Sequence, residues 1–128
     1  MKLLFDTHII LWYLEGSTNL NRNLIPVIRN PQNKLHASMA SLWEVSIKVG
    51  LGKLSLDSPF CELKTNLREN DFQIIDITFS DILCNESLPF YHRDPFDRIL
   101  ISQAINRSMT LVSQDSKFNL YPVRLLEL

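Results

Sequence analysis

The chain has few residues that staple or interrupt a fold. Its two cysteines, Cys61 and Cys84, lie far apart and form no CxxC pair. That removes a disulfide framework and a zinc ribbon from consideration and reads as a pair of reduced thiols in a cytoplasmic protein. Three glycines in 128 residues, set in a 45% apolar composition, exclude a collagen-like or disordered chain. No apolar run approaches the roughly 18–20 residues of a membrane span. The opening MKLLF is too short for a secretory core, and Asp6 and His8 interrupt it at once. A cytoplasmic protein with no membrane partner is therefore expected. Charge of one sign is also lacking: 13 Lys and Arg stand against 14 Asp and Glu, a net charge of −1, so no global positive field advertises a nucleic-acid partner. That balance has a second side. With four of the 14 carboxylates committed to a cation, 13 cationic side chains would face ten anionic ones, which is compatible with a polyanionic substrate without arguing for it.

What is present describes one ordinary domain. The length falls in the usual single-domain range of about 100–150 residues, large enough to bury about two thirds of the unfolded surface without a staple. No repeat, low-complexity tract or linker divides the chain, so residues 1–128 read as a single domain. Short apolar runs occur at Leu3–Phe5, Leu35–Ala37, Gln73–Ile77, Thr110–Val112 and Val123–Leu126. Stretches with helical spacing lie between them: His8–Leu14, Asn21–Arg29, Ala40–Val49, Phe60–Asn70, Ser80–Glu86 and Pro95–Asn106. Strands alternating with helices predict an α/β fold with a mainly parallel, buried sheet. The punctuation agrees, with Gly50 and Gly52 after the third helix and Asp94-Pro95 opening the last one as a cap followed by proline.

Open α/β sheets bind ligands outside the carboxyl ends of their strands, and that rule sorts the acids. Asp6 ends the first apolar run, and Asp115 follows the TLVS run after one residue. Glu44 lies in the first turns of the helix after LHAS, and Asp97 in the first turn of the helix opened by Asp94. Each has a structural reading beside the functional one. Asp6 could cap the helix from Thr7 onward. Ser41-Leu-Trp-Glu44 matches a capping box, and Glu44 with Lys48 an i,i+4 pair. Asp115 in Ser-Gln-Asp-Ser fits a turn. Asp94, with Pro95 after it, is the natural cap. Asp97 is harder to dismiss: on a helical wheel it falls within the apolar arc of Phe96, Leu100, Ile101, Ala104 and Ile105, while Arg98 and Ser102 occupy the opposite face. A carboxylate aimed into a packed interior needs a partner.

Carboxylates meeting at one sheet edge repel one another, so either some stay protonated or a cation joins them. Oxygen-only donors suit Mg²⁺ or Mn²⁺ rather than zinc. His8, His36 and His92 stand singly, with no HxxxH spacing, and read as packing or surface residues. A hard ion held by acids commonly serves phosphate chemistry, acidifying water and steadying charge on the phosphoryl oxygens.

The segments LLFDTHIILWYL, ASMASLWEVSIKVGLGKL, LPFYHRDPFDRILISQA and TLVSQDSKF resemble, in order and spacing, the PIN-domain ribonucleases of the VapC type, the toxin halves of bacterial or archaeal toxin–antitoxin pairs. The resemblance covers essentially the whole chain and is carried most specifically by SLWE…KVGLGKL together with HRDPFDR. It implies a PIN-like three-layer α/β/α fold around a five-stranded, mainly parallel sheet. Asp6, Glu44, Asp97 and Asp115 match the family's acid quartet, as catalytic and metal-holding residues for Mg²⁺ or Mn²⁺. Thr7 and Ser113 match supporting hydroxyl positions, and Asp94 recurs in the same motif as a cap, a water-mediated contact, or both. The resemblance further implies an RNA substrate, a cognate antitoxin whose C-terminal segment occupies the active-site groove, and a homodimer.

The expected reaction is metal-dependent hydrolysis of RNA phosphodiesters, with no covalent protein nucleophile, since neither cysteine sits in the motifs. Lys48, Lys53, Arg93 and Arg98 flank the acids and could steady an RNA backbone or simply face solvent. Phe90 and Tyr91 could stack on bases. Two rival readings stand beside this one. One is a non-catalytic RNA- or partner-binding module of the same fold. The other is a phosphoacceptor receiver domain, which would need an acidic pair near the first strand, an acceptor aspartate after the third and a late-strand lysine; the chain offers Asp6 alone, and Asp76 in the wrong surroundings.

Overall fold

The computed structural model describes residues 1–128. Four strands, β1 (Lys2–Phe5), β2 (Lys34–Ser38), β3 (Phe72–Ile75) and β4 (Thr110–Val112), form one sheet in the order β3-β2-β1-β4, and every pairing is parallel. The connections carry six helices: α1 (Thr7–Glu15), α2 (Leu24–Arg29), α3 (Met39–Gly50), α4 (Leu63–Glu69), α5 (Phe79–Glu86) and α6 (Pro95–Asn106). The central strands are buried on both faces. Leu3 and Phe5 face a core shared with α1 to α4, through Ile9, Leu24, Val45 and Leu67. Leu4, one residue out of phase, faces a second core formed by Leu100, Ile101 and Ala104 of α6 with Leu111 and Phe118. The pleat thus produces the helix–sheet–helix layering that the family resemblance implies, around the parallel, buried sheet that the alternation predicts.

The sheet has four strands rather than the five expected. Val123–Leu126 contributes only an isolated bridge, Leu111↔Leu125, closed by Leu111 N–H to the Arg124 carbonyl at 2.8 Å and Leu126 N–H to the Leu111 carbonyl at 3.0 Å. The reason lies in the length of β4. In a three-residue parallel strand the first and last residues turn their polar groups to the inner neighbour, and the Val112 carbonyl indeed accepts from Asp6 N–H. Only Leu111 presents its groups outward, so the outer edge accommodates one bridge and no ladder.

Local rules set the ends of the elements. Gly16 closes α1 in the left-handed region at φ 63°, and the next amide, Ser17, returns to the Trp12 carbonyl. The side chain of Gln114, just beyond β4, bridges the α1–α2 connection by accepting from Asn21 N–H at 2.8 Å and donating to the Asn19 carbonyl at 3.1 Å.

The sequence places Arg98 and Ser102 on a solvated face of α6, and the structure does not. Both are buried, because the segment between α5 and α6 folds over that face. The Arg98 guanidinium donates to the carbonyls of Pro89, Leu88 and Asn85 and to the Tyr121 hydroxyl, and it lies 4.1 Å from the centroid of the Phe90 ring. It is a fastener of the 85–90 segment, not a free cation.

A second fastener joins α5 to α6. Asp81, fully buried, closes a capping box with Thr78 and accepts from Arg107 at 2.7 Å, Asn106 at 2.9 Å and Gln103 at 3.2 Å. Burial alone would raise its pKa, but Arg107 and the amide donors outweigh it and hold the carboxyl well below the usual range. Arg107→Ala leaves this charge without its cation and is expected to cost about 2–4 kcal/mol, read as a lower urea midpoint at pH 7.

Candidate metal centre

The C-terminal edge of the sheet gathers the acids. Asp6 has extended backbone (φ −61°, ψ 149°) at the junction of β1 and α1, and its amide continues the ladder to Val112 at 2.9 Å. Its side chain does not cap α1; Oδ2 accepts from the Ser113 hydroxyl at 2.9 Å instead. That same hydroxyl accepts from Asp115 N–H at 3.0 Å, so Ser113 links two acids 109 positions apart in the chain. Asp115 is exposed and turns Oδ1 to Lys117 N–H at 2.9 Å, which caps the 3-10 turn Ser116–Leu120. The turn reading of Asp115 therefore holds for one of its oxygens.

Glu44 sits on α3 and is buried. Oε1 accepts from the Thr7 hydroxyl at 2.7 Å, and Oε2 from Lys48 Nζ at 2.8 Å, the i,i+4 pair expected from the spacing. The Ser41–Glu44 capping box is absent. Ser38, the last residue of β2, caps α3 through Ala40 N–H at 3.1 Å, while the Ser41 hydroxyl lies 2.9 Å from that of Thr7. Helix α3 begins three residues earlier than the box requires, because the strand runs directly into it.

Asp94 caps α6, accepting from Phe96 N–H at 2.8 Å and Asp97 N–H at 3.3 Å, with Pro95 in the first helical position. Asp97, one turn further in, lies with Oδ2 2.9 Å from His92 Nε2. His92, Asp97 and Asp115 each bring a ligand atom within 4.8 Å of the others. His92 was not expected here; a lone histidine carries no spacing signal, and its position follows from the fold of the segment that leads into α6. An open cleft of about 300 Å³ adjoins this edge, lined by Asp6, His8, Ile9, Trp12, Gln114 and Asp115.

The electrostatics show how crowded the edge is. Burial pushes the Asp97 carboxyl up to about 7, helped by the charges of Asp6, Asp94, Glu44 and Asp115. Burial also raises Asp6, with a smaller upward push from Glu44, against the lowering effect of the Ser113 hydroxyl. Lys48 is raised, chiefly by its bond to Glu44 and further by Asp94 and Asp97. Arg98 is turned away, so Lys48 is left as the paired cation among the acids. Asp6 and Glu44 lie outside the close group of His92, Asp97 and Asp115. Asp6 Oδ1, Asp97 Oδ1 and Asp115 Oδ2 accept no hydrogen bond from the protein, whereas both Glu44 oxygens are engaged, so the open carboxylate oxygens along the edge suit a hard divalent ion.

A parallel α/β/α sheet with carboxylates from four separate segments at its C-terminal edge defines the class as an acid-cluster α/β domain. The PIN domain family model matches residues 3–123, and the chain belongs to that family. Among solved structures it is similar to VapBC2 from Rickettsia felis bound to a DNA fragment from its promoter (TM-score 0.70, 21% identity, 99% of this chain and 98% of that one). It is also similar to VapBC-1 from nontypeable Haemophilus influenzae (TM-score 0.69, 14% identity, 99% and 98%). FitAcB from Neisseria gonorrhoeae matches with a TM-score of 0.67 and 15% identity over 98% and 96% of the two chains. No curated protein sequence matches significantly. No helix is long and apolar enough to cross a membrane.

The raised Asp97 carboxyl has a consequence for stability. The folded state holds this proton more tightly than the unfolded chain, so ionisation destabilises the fold. The penalty is absent below the ordinary value of 3.8, grows through the interval and is complete above about 7. Asp97→Asn is expected to raise the Tm of the ion-free protein at pH 8, by an amount equivalent to roughly 1–3 kcal/mol, and the gap should narrow towards pH 5. Thermal unfolding in chelator at the two pH values checks this; Mn²⁺ added at pH 8 should stabilise the wild type more than the variant.

Proposed function

We propose that this chain is a metal-dependent endoribonuclease, the toxin component of a toxin–antitoxin pair, acting as one PIN-like domain over residues 1–128 in the cytoplasm. The observation that carries the reading is the crowding of Asp6, Glu44, Asp97 and Asp115 along one sheet edge, where burial and then the charges of the other acids push the Asp97 carboxyl up to about 7. Mg²⁺ or Mn²⁺ is the ion that suits such donors. When bound, it supplies Lewis acidity and a more acidic water for attack on the phosphodiester. Asp6 and Asp97 are the principal holders, each with one oxygen left open, and Asp115 contributes its open Oδ2. Glu44, with both oxygens already engaged, acts from behind them and keeps Lys48 and Thr7 in place. Ser113 orients Asp6 and draws in the Asp115 backbone, and Asp94 fixes the start of the helix that carries Asp97.

An RNA substrate fits the surface as well as the site. Phe90 and Tyr91 are exposed beside the segment leading into α6 and offer ring faces or edges for stacking. For the partner, one similar solved structure is a toxin–antitoxin complex from Klebsiella pneumoniae. An apolar groove of about 350 Å³ lined by Met39, Leu42, Trp43 and Phe60 reaches the acid edge through the Trp43–Phe96 contact, a seat for an apolar antitoxin segment. A homodimer completes the proposed assembly. The receiver alternative finds no support: Asp76 lies at the end of the edge strand, where its carbonyl serves Arg107 and Gln103.

Partner-free protein is expected to cleave RNA in Mg²⁺ or Mn²⁺ and to stop when chelator is added. Asp97→Asn should lower the rate by about 10²–10⁴-fold with native circular dichroism retained. Equal cleavage by that variant would assign the activity elsewhere; tight RNA binding without any cleavage would favour the non-catalytic module. Separately, co-expression with the product of the adjacent reading frame is expected to give a stable complex in which cleavage is silent. Trp43→Glu should weaken that complex while leaving cleavage by the free chain intact.

A further inference from the structure

His92 is nine-tenths buried, and its Nε2 makes no aligned hydrogen bond although it lies 2.9 Å from Asp97 Oδ2. A buried ring nitrogen pointed at a carboxylate cluster without a proper partner is an unsatisfied group that calls for a use. Its chemical state follows from the other side of the ring. Nδ1 accepts from the Asp94 backbone N–H at 3.2 Å, so Nδ1 is the unprotonated nitrogen and the ring proton sits on Nε2. Nε2 is therefore a donor facing Asp97, not a lone pair facing an ion.

The backbone around it is held on every side. His92 N–H donates to the Tyr121 hydroxyl at 2.9 Å, and that hydroxyl donates to the Pro89 carbonyl at 2.9 Å and accepts from Arg98 at 3.3 Å. Arg98, buried, also grips the carbonyls of Pro89 and Leu88. The ring itself packs against Phe118 at 6.2 Å between centroids. Residues distant in sequence thus cooperate to hold the ring with Nε2 close to one carboxylate oxygen, though out of line for a hydrogen bond.

We infer that His92 is a positioning residue for the ion site: its Nε2–H, 2.9 Å from Oδ2 of Asp97 but out of line in the ion-free arrangement, completes that hydrogen bond in the ion-bound state and leaves Oδ1 for the ion, with Asp94 fixing the tautomer and Tyr121 and Arg98 fixing the backbone. This rests on the metal-dependent reading above and adds to it a residue that acts through Asp97 without touching ion or substrate. Hydrogen-bonded carboxylate ligands are held in orientation by such outer contacts, whose loss typically weakens metal affinity about 10–100-fold.

The test measures Mn²⁺ affinity directly, from the electron paramagnetic resonance signal of free Mn²⁺ titrated with protein. His92→Leu is expected to weaken binding by about 10–100-fold, and His92→Gln, which retains an amide N–H at comparable reach, to restore most of it. Tyr121→Phe, which removes a single oxygen, should weaken binding to an intermediate degree, and it provides the measurement if His92→Leu does not fold. Wild-type affinity in a folded His92→Leu, or in Tyr121→Phe where His92→Leu does not fold, would overturn the inference. So would a ¹⁴N coupling to bound Mn²⁺ that His92→Gln abolishes, since that would make His92 a direct ligand. Asp97→Asn separates the two levels. If it loses Mn²⁺ while His92→Leu does not, only the role of His92 fails; if it binds as the wild type does, the metal reading fails with it.

Discussion

Mutual repulsion among carboxylates is the constraint around which this molecule is arranged. Asp6, Glu44, Asp97 and Asp115 come from segments after β1, β2 and β4 and from the start of α6, and nothing in local structure requires them to meet. They are brought together by a parallel sheet whose central strands are buried on both faces, so the favourable burial of Leu3, Leu4, Phe5 and Leu111 outweighs the cost of crowding charge at one edge. The protein moderates that cost with neutral donors. Two hydroxyls, Ser113 and Thr7, bond to Asp6 and Glu44, and Lys48 is the cation set among the acids. The remaining cost is visible in Asp97, whose carboxyl is pushed up to about 7 first by burial and then by the neighbouring acids.

The opposite regime appears between α5 and α6. Asp81 is more deeply buried than Asp97, yet its carboxyl is held low because Arg107, Asn106, Gln103 and Thr78 converge on it. Two buried aspartates in one small molecule therefore differ in sign of perturbation because one is saturated with donors and the other is surrounded by acids. The first is neutralised within the architecture; the second is left with acids for neighbours.

Much of this was legible in the chain, for definable reasons. The strand-then-acid pattern at Asp6 and Asp115 was readable because parallel sheets collect ligands at strand ends, and the inward tilt of Asp97 because a helical period fixes which residues share a face. The cap at Asp94 followed from a local rule that needs only the next residue. What local rules could not reach depended on packing at a distance. Arg98 and Ser102 lie on the polar face of an isolated helix, but a passing segment buries them. The capping box at Ser41 was displaced because β2 enters α3 without a loop, leaving Ser38 at the cap. The fifth strand was reduced to a bridge by the brevity of β4, and His92 was invisible because no spacing marks a histidine whose partner lies five residues on, around the turn that opens α6.

The Ser113 hydroxyl bonded to Asp6 has an implication for how the chain emerges from a ribosome. Strand β4, which pairs with β1 more than a hundred residues after β1 was made, is the last strand to be synthesised. Until Ser113 and Asp115 have cleared the exit tunnel, Asp6 lacks its hydroxyl partner, and an incomplete nascent chain carries an incomplete acid cluster.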